Sequence, residues 1–239
     1  MWDGHFERLA REYRAVRYDA PGFGRSPLPP GPFSNTDDLG GLLDALGIER
    51  AALVGCSMGA GIALDFSLLH PDRVRALVLV AGAPGGHEWS EEDERLSAQE
   101  EEAFERGDLE AVVELNLRWW VDGPHRTPDE VDASVRERVG TMLREATAVQ
   151  LAAYALPAQP GAPQRLDPPA IGRLEEVSAP TLIVAGDLDV PGIVTSADLL
   201  EANIPSARKV LFSGTAHLPS MERPAEFDEL VAGFLRDQD

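Results

Sequence analysis

Five short, apolar, β-branched segments alternate with helical stretches along this chain, and that rhythm limits its fold more than any other feature. They read as strands over Arg14–Asp19, Ala51–Gly55, Ala76–Ala81, Thr181–Gly186 and Arg208–Ser213. Strands that are apolar on both faces need cover on both, and helix-length connections between them allow parallel pairing. The expectation is an α/β fold: a mainly parallel sheet with helices on both faces. Met58–Leu69 suits a buried helix that stops before Pro71. Phe227, Leu230, Val231, Phe234 and Leu235 fall at helical spacing after Pro224, which predicts an amphipathic closing helix.

The rhythm breaks between Gly86 and Gly172, where helical patterns replace the strand signal. This divides the chain into a core from residues 1–85 and 173–239 and a helical insertion over 86–172. Within the insertion, Asp108 can cap a helix carrying Leu109, Val112, Val113, Leu117 and Trp120 on one face. Thr127-Pro128-Asp129-Glu130 has capping-box form with proline at the first helical position. The acidic stretch Glu88–Glu105 reads as a solvated face. Five prolines between Pro157 and Pro169 predict an extended return to the sheet.

Charge narrows the partners. Forty-one acidic residues against 21 basic ones give a net charge of −20, which repels phosphate backbones and anionic lipid. Nucleic acid and membrane surfaces are therefore not expected partners. No apolar run approaches the ~20 residues that span a bilayer, and Met1-Trp2-Asp3-Gly4-His5 lacks the order of a signal peptide, so a cytoplasmic protein is expected. The single cysteine, Cys56, allows neither an intrachain disulfide nor a cysteine-based metal cluster.

The chemistry concentrates in Gly55-Cys56-Ser57-Met58-Gly59, set between the strand Ala51–Val54 and the helix after it. A strand that turns abruptly into a helix forces the serine into a strained conformation, and glycines are expected where no side chain fits on either side. The turn lifts the Ser57 hydroxyl clear of the sheet, and the backbone N–H of Met58, at the helix N-terminus, can stabilise a developing oxyanion. The bland alternative is a glycine-rich turn with no reaction. Cys56 is the rival nucleophile, but its position before the serine aims it away from the tip.

A hydroxyl nucleophile needs a base, and the base needs an orienting acid. Asp189, in Gly186-Asp187-Leu188-Asp189-Val190-Pro191, lies just beyond a strand, where active-site groups of parallel sheets collect. Asp187 competes for the role, or binds backbone amides in the turn. His217 follows the last strand by a short glycine-bearing loop, from which a mobile imidazole could reach Ser57. His5, His70, His87 and His125 lack that placement, and His70-Pro71 reads as a helix stop. No second histidine or acid at ligand spacing supports a metal-bound water, and no cofactor is implied.

These residues resemble the α/β-hydrolase family over nearly the whole chain. Tyr18-Asp19-Ala20-Pro21-Gly22-Phe23-Gly24-Arg25-Ser26 looks like the loop after the family's fourth strand, and Gly55–Gly59 like its nucleophile elbow. His70–Val74 looks like the link to its sixth strand, Gly186–Asp189 like its acid turn, and His217 with Glu222-Arg223-Pro224 like its histidine loop and last helix. Ser57, Asp189 and His217 follow the family's order of nucleophile, acid and base. The resemblance implies a helical lid over 86–172, with Trp119 and Trp120 as candidate substrate-lining residues or simply lid packing. The wording around Ser57 is similar to esterases and 3-oxoadipate enol-lactonases, which implies a small ester or lactone as substrate. Carbon–carbon bond hydrolysis and perhydrolysis use the same triad, and a non-catalytic homologue is the reading from another class.

The chain departs from the family at its front. It is N-terminally shortened by comparison: the His-Gly loop that supplies a second oxyanion donor is absent, as is the strand expected between Arg14–Asp19 and Ala51–Gly55. Three resolutions follow: a start upstream of Met1, direct pairing of those two strands, or exchange with another subunit in a homodimer.

Overall fold

The computed structural model describes residues 1–238. In chain order its elements are α1 (Asp3–Leu9), β1 (Gly31–Phe33), α2 (Asn35–Ala45), β2 (Ala51–Cys56), α3 (Met58–Leu69), β3 (Val74–Val80), α4 (Glu91–Glu105), α5 (Leu109–Asn116), α6 (Ala133–Tyr154), β4 (Pro160–Pro163), β5 (Thr181–Gly186), α7 (Pro191–Asn203), β6 (Ala207–Phe212), α8 (Pro219–Glu222) and α9 (Pro224–Arg236). They fall into two units. Thr36–Glu88 and the chain from Arg165 onward form one, and Met1–Asn35 with Trp89–Gln164 form the other. The first 35 residues thus group with the helical segment, whereas the sequence alone suggests that they belong to the core.

The first unit is an all-parallel sheet in the order β2-β3-β5-β6, flanked by helices. The two central strands explain the order. Leu77, Val78, Leu79 and Val80 of β3 and Leu182, Ile183, Val184 and Ala185 of β5 are almost wholly buried, as continuous apolar runs demand when both faces are covered. α3 packs on β2 and β3, and α7 on β5 and β6. Leu64 and Phe66 of α3, Leu79 of β3, Ile183 of β5 and Leu200 of α7 share one core. α3 spans Met58–Leu69 as its apolar run predicts, and stops at His70 before Pro71.

One expected strand does not form. Arg14–Asp19 has no strand conformation, and its Val16 and Tyr18 stand 44% and 42% exposed. Among the described residues this segment joins no sheet, so direct strand pairing with Ala51–Gly55, one of the three resolutions, does not form. β2 pairs on one side only, and among the described residues no backbone hydrogen bond reaches its other edge.

In the second unit the caps follow the sequence with one change. The Asp108 carboxylate accepts from Ala111 N–H at 3.2 Å and starts α5, which runs on into a π-helical turn over Leu117–Asp122. Thr127 and Glu130 form the expected capping box, yet it opens a single 3₁₀ turn, because Val131 is extended and Asp132 supplies a fresh cap for α6. The Asp122 carboxylate is fully buried and accepts from Arg136 Nε at 3.1 Å. β4, hidden in the proline-rich return, pairs in parallel with β1. Its prolines lack the N–H that a strand normally donates, which is why the sequence reads as irregular there.

Candidate active site

Strand register brings the elbow into position. Cys56 lies opposite Val80, and Ser57 N–H donates to Val80 O at 2.8 Å, so Ser57 leaves β2 level with the end of β3. Its φ of 53° and ψ of −118° are the strained backbone expected of the turn. The two glycines of the motif differ. A Cβ on Gly55 would lie 2.1 Å from Gly59 O and 2.6 Å from Ala60 N, whereas one on Gly59 would meet nothing within 4 Å. The expectation that neither position has room for a side chain holds for Gly55 alone, because only Gly55 faces the backbone of the incoming helix.

Met58 is the first residue of α3, so its N–H has no carbonyl one turn earlier and remains available to an anion. Cys56 is no rival to the serine. Burial, reinforced by the nearby Asp189 carboxylate, pushes its thiol up to about 12, which holds it protonated near neutrality.

The candidate acid and base come from the other half of the sheet. Asp189 follows β5 and is 2% exposed, and its Oδ1 accepts from Val190 N–H at 2.8 Å. Its Oδ2 lies 2.9 Å from Nδ1 of His217, itself 4% exposed. A carboxylate only accepts, so with a neutral ring this contact requires the tautomer in which Nδ1–H donates to Asp189 and Nε2 keeps its lone pair. Asp187 takes the role of turn binder: its Oδ1 accepts from Gly214 N–H at 2.7 Å and its Oδ2 from the Ser213 hydroxyl at 3.0 Å.

The loop that carries His217 is tied down at each step. Leu188 N–H donates to Thr215 O at 2.9 Å, and Ala216 N–H donates to Glu222 Oε1 at 2.9 Å. Gly186 permits this, since a Cβ there would lie 2.2 Å from the carbonyl oxygens of both Thr215 and Ala216. β6 is three strands from β2, about 14 Å at the usual spacing, and the loop returns the histidine from β6 over the end of β5. Ser57, Asp189 and His217 therefore all stand at the carboxyl edge of one parallel sheet, with Asp189 and His217 in contact.

Trp119 and Trp120 belong to the other unit, in its π-helical turn. Their rings stack at 5.1 Å between centroids and 9° between planes, and Trp119 is buried. A separate open groove, lined by residues that include Asp37, Asp44, His70 and Arg73, lies at the end of α3 remote from Ser57. Among the described residues, no group of three or more His, Cys, Asp or Glu side chains could hold a metal, and no helix is long and apolar enough to cross a membrane. Glu222 enters the sequence reading only through the family resemblance. A carboxylate five residues after the histidine has no local signal of its own.

Comparison with known proteins agrees with this geometry. The family model for the alpha/beta hydrolase fold matches residues 1–224, and the chain belongs to that family. A pimeloyl-[acyl-carrier protein] methyl ester esterase of Aeromonas hydrophila is 30% identical over 98% of this chain and 90% of its own length. The 3-oxoadipate enol-lactonase 1 of Acinetobacter baylyi is 28% identical over 99% of this chain and 84% of its own. A 2-hydroxy-6-oxononadienedioate/2-hydroxy-6-oxononatrienedioate hydrolase of Pseudomonas putida is 31% identical over 95% and 79%. The protein is an α/β-hydrolase enzyme.

Proposed function

We propose that this enzyme cleaves a small ester or lactone through an acyl-enzyme on Ser57. The observation that carries the reading is the buried His217–Asp189 pair at 2.9 Å, on the same sheet edge as a serine in the strained elbow conformation. His217 Nε2 takes the Ser57 proton as Oγ attacks the substrate carbonyl, and the Met58 N–H stabilises the resulting oxyanion. The imidazolium then returns the proton to the leaving oxygen. Water enters by the same route in reverse roles, releasing the acid and restoring Ser57. Asp189 holds the ring in the productive tautomer throughout.

The names of two relatives, a methyl ester esterase and an enol-lactonase, support the substrate class. The oxo-dioate named for the Pseudomonas putida relative favours a second reading, in which the same triad opens a carbon–carbon bond beside a ketone. Fluorophosphonate labelling followed by peptide mass spectrometry tests the nucleophile. A single adduct on Ser57, lost in Ser57→Ala, is expected. Folded wild-type protein that takes up no label would overturn the proposal. Turnover of p-nitrophenyl butyrate against a vinylogous 1,5-diketone separates the two substrate classes.

A further inference from the structure

Only two non-glycine residues among those described have a positive φ, and the sheet places them side by side. They are Ser57, at 53°, and Ala81, at 46°. Cys56 is the register partner of Val80, so the residues that follow, Ser57 and Ala81, leave adjacent strands at the same level. The strain of the elbow is an expected part of a strand–helix nucleophile turn. The strain of Ala81 has no such account, and a left-handed alanine persists only where its surroundings over-determine it.

Two hydrogen bonds supply that determination. Ala81 N–H donates to Val184 O of β5 at 2.7 Å, and Ser196 Oγ donates to Gly82 O at 2.9 Å. Ser196 lies in α7, is wholly buried, and reaches across 114 residues of sequence to that carbonyl. What it holds in place is the backbone against which the elbow rests. A Cβ on Gly82 would come within 2.4 Å of Ala60 Cβ and 3.6 Å of Ser57 O. Ala60 N–H donates back to Ser57 O at 2.9 Å, and Ser57 N–H is held by Val80 O. Val80, Ala81 and Gly82 thus form one wall of the elbow, with Ser196 as its outer fastening.

We infer that Ser196 is a positioning residue for Ser57: its hydroxyl, bonded to Gly82 O, holds the strained Ala81-Gly82 backbone against the first turn of α3 and so sets the direction of the nucleophile. The same bond couples α7, which begins two residues after the acid Asp189, to the elbow. One fastening therefore serves both halves of the triad. The inference rests on Ser57 being the nucleophile, and its test separates the two.

The experiment compares wild type, Ser196→Ala and Ala81→Gly, each at a temperature where denaturation curves show it fully folded. Ser196→Ala removes only the hydroxyl, and Ala81→Gly loosens the same backbone without unpairing any group. For Ser196→Ala, kcat and the rate of Ser57 phosphonylation are expected to fall together by about tenfold, with KM within about twofold of wild type, since misplacement of a reacting group acts on the chemical step. Ala81→Gly is expected to lose severalfold in the same two rates without a lower melting temperature. Both variants reacting at wild-type rates while folded would overturn the inference and leave the nucleophile assignment standing. Wild-type enzyme without a Ser57 adduct would overturn the assignment, and the inference with it.

Discussion

Replacing Gly55 by alanine and, separately, Gly59 by alanine sets the same chemical change at the two ends of one motif, and the structure assigns them opposite signs. At Gly55 the new methyl carbon would sit 2.1 Å from Gly59 O and 2.3 Å from Gly59 C. Both are backbone atoms, so no side chain can swing aside. Relief to an ordinary contact near 3.4 Å requires the start of α3 to move by about 1.3 Å relative to β2. Overpacking of this kind costs about 3 kcal/mol at the upper end of its usual range, and at ~2–4 °C per kcal/mol for a chain of this size the melting temperature falls by roughly 6–12 °C. A displacement near 1 Å at a nucleophile also costs about 10²-fold in rate. At Gly59 the methyl meets nothing, and a helical glycine exchanged for alanine gains about 0.5–1 kcal/mol, raising the melting temperature by roughly 1–4 °C. Thermal denaturation of both variants, with the rate of Ser57 phosphonylation, measures these effects. A Gly55→Ala protein that melts and reacts like wild type would refute the steric account of the elbow, as would Gly59→Ala falling as far as Gly55→Ala.

Three further outcomes follow from the site and the sheet. Asp189→Asn removes the ionised acceptor of His217 Nδ1–H and is expected to lower kcat by about 10³–10⁴, whereas Asp187→Ala, whose partners Gly214 N–H and Ser213 Oγ are open to water, costs about 1 kcal/mol and leaves kcat within about tenfold. Equal losses in steady-state assays would reverse the two assignments. Cys56, with its thiol held near 12, is expected to resist iodoacetamide at about pH 8 in the folded enzyme and react readily in urea. The folded value lies above the unfolded one, so the native state keeps a proton that the unfolded chain loses, and stability declines as pH rises from the ordinary thiol range toward 12. Stability that is flat or rising through that window would contradict it. β2 carries no charge over Ala51–Cys56, unlike the opposite edge strand with its Arg208 and Lys209, so its open edge is expected to promote self-association that Ala52→Lys reduces. Sedimentation velocity showing only monomer across a full concentration series would refute this.

The parts of the fold legible in the sequence are those whose signal is local. β5 forms over the expected Thr181–Gly186 and α3 over the expected Met58–Leu69, because each is a strong apolar run with punctuation at its ends: Pro180 and Gly186 for the strand, Pro71 for the helix. Arg14–Asp19 does not become a strand because period-two alternation describes any extended chain, and a strand exists only through the neighbour that bonds to it. β4 is illegible for the converse reason: its prolines argue against a strand that pairing with β1 nonetheless creates. In the site, the residue types and order of Ser57, Asp189 and His217 are readable, and so is the preference for Asp189 over Asp187 as partner of the histidine. Ser196 is not, since a serine inside a helix has no local mark of the distant carbonyl it will meet.

The histidine loop also differs in character from the mobile arm its glycine suggests. Ser213 and Gly214 are bonded to Asp187, Thr215 O to Leu188 N–H, and Ala216 N–H to Glu222, while His217 itself is bonded to Asp189. Gly214, at φ +76°, serves the turn's geometry, and Gly186 serves the close approach of the loop to β5. Every residue from Ser213 to His217 is thus fixed before any substrate arrives, so the entropy of ordering the base is lost once, on folding, and not at each turnover. For the proposed acyl transfer this matters because proton transfer is most effective from a group already held in place. The same logic runs through the elbow, where strain at Ser57 and Ala81 is sustained by the bonds around them. Rigidity at the carboxyl edge of the sheet, set by backbone bonds and the close glycine contacts at Gly55, Gly82 and Gly186, is therefore what this fold supplies to the three side chains of the proposed triad.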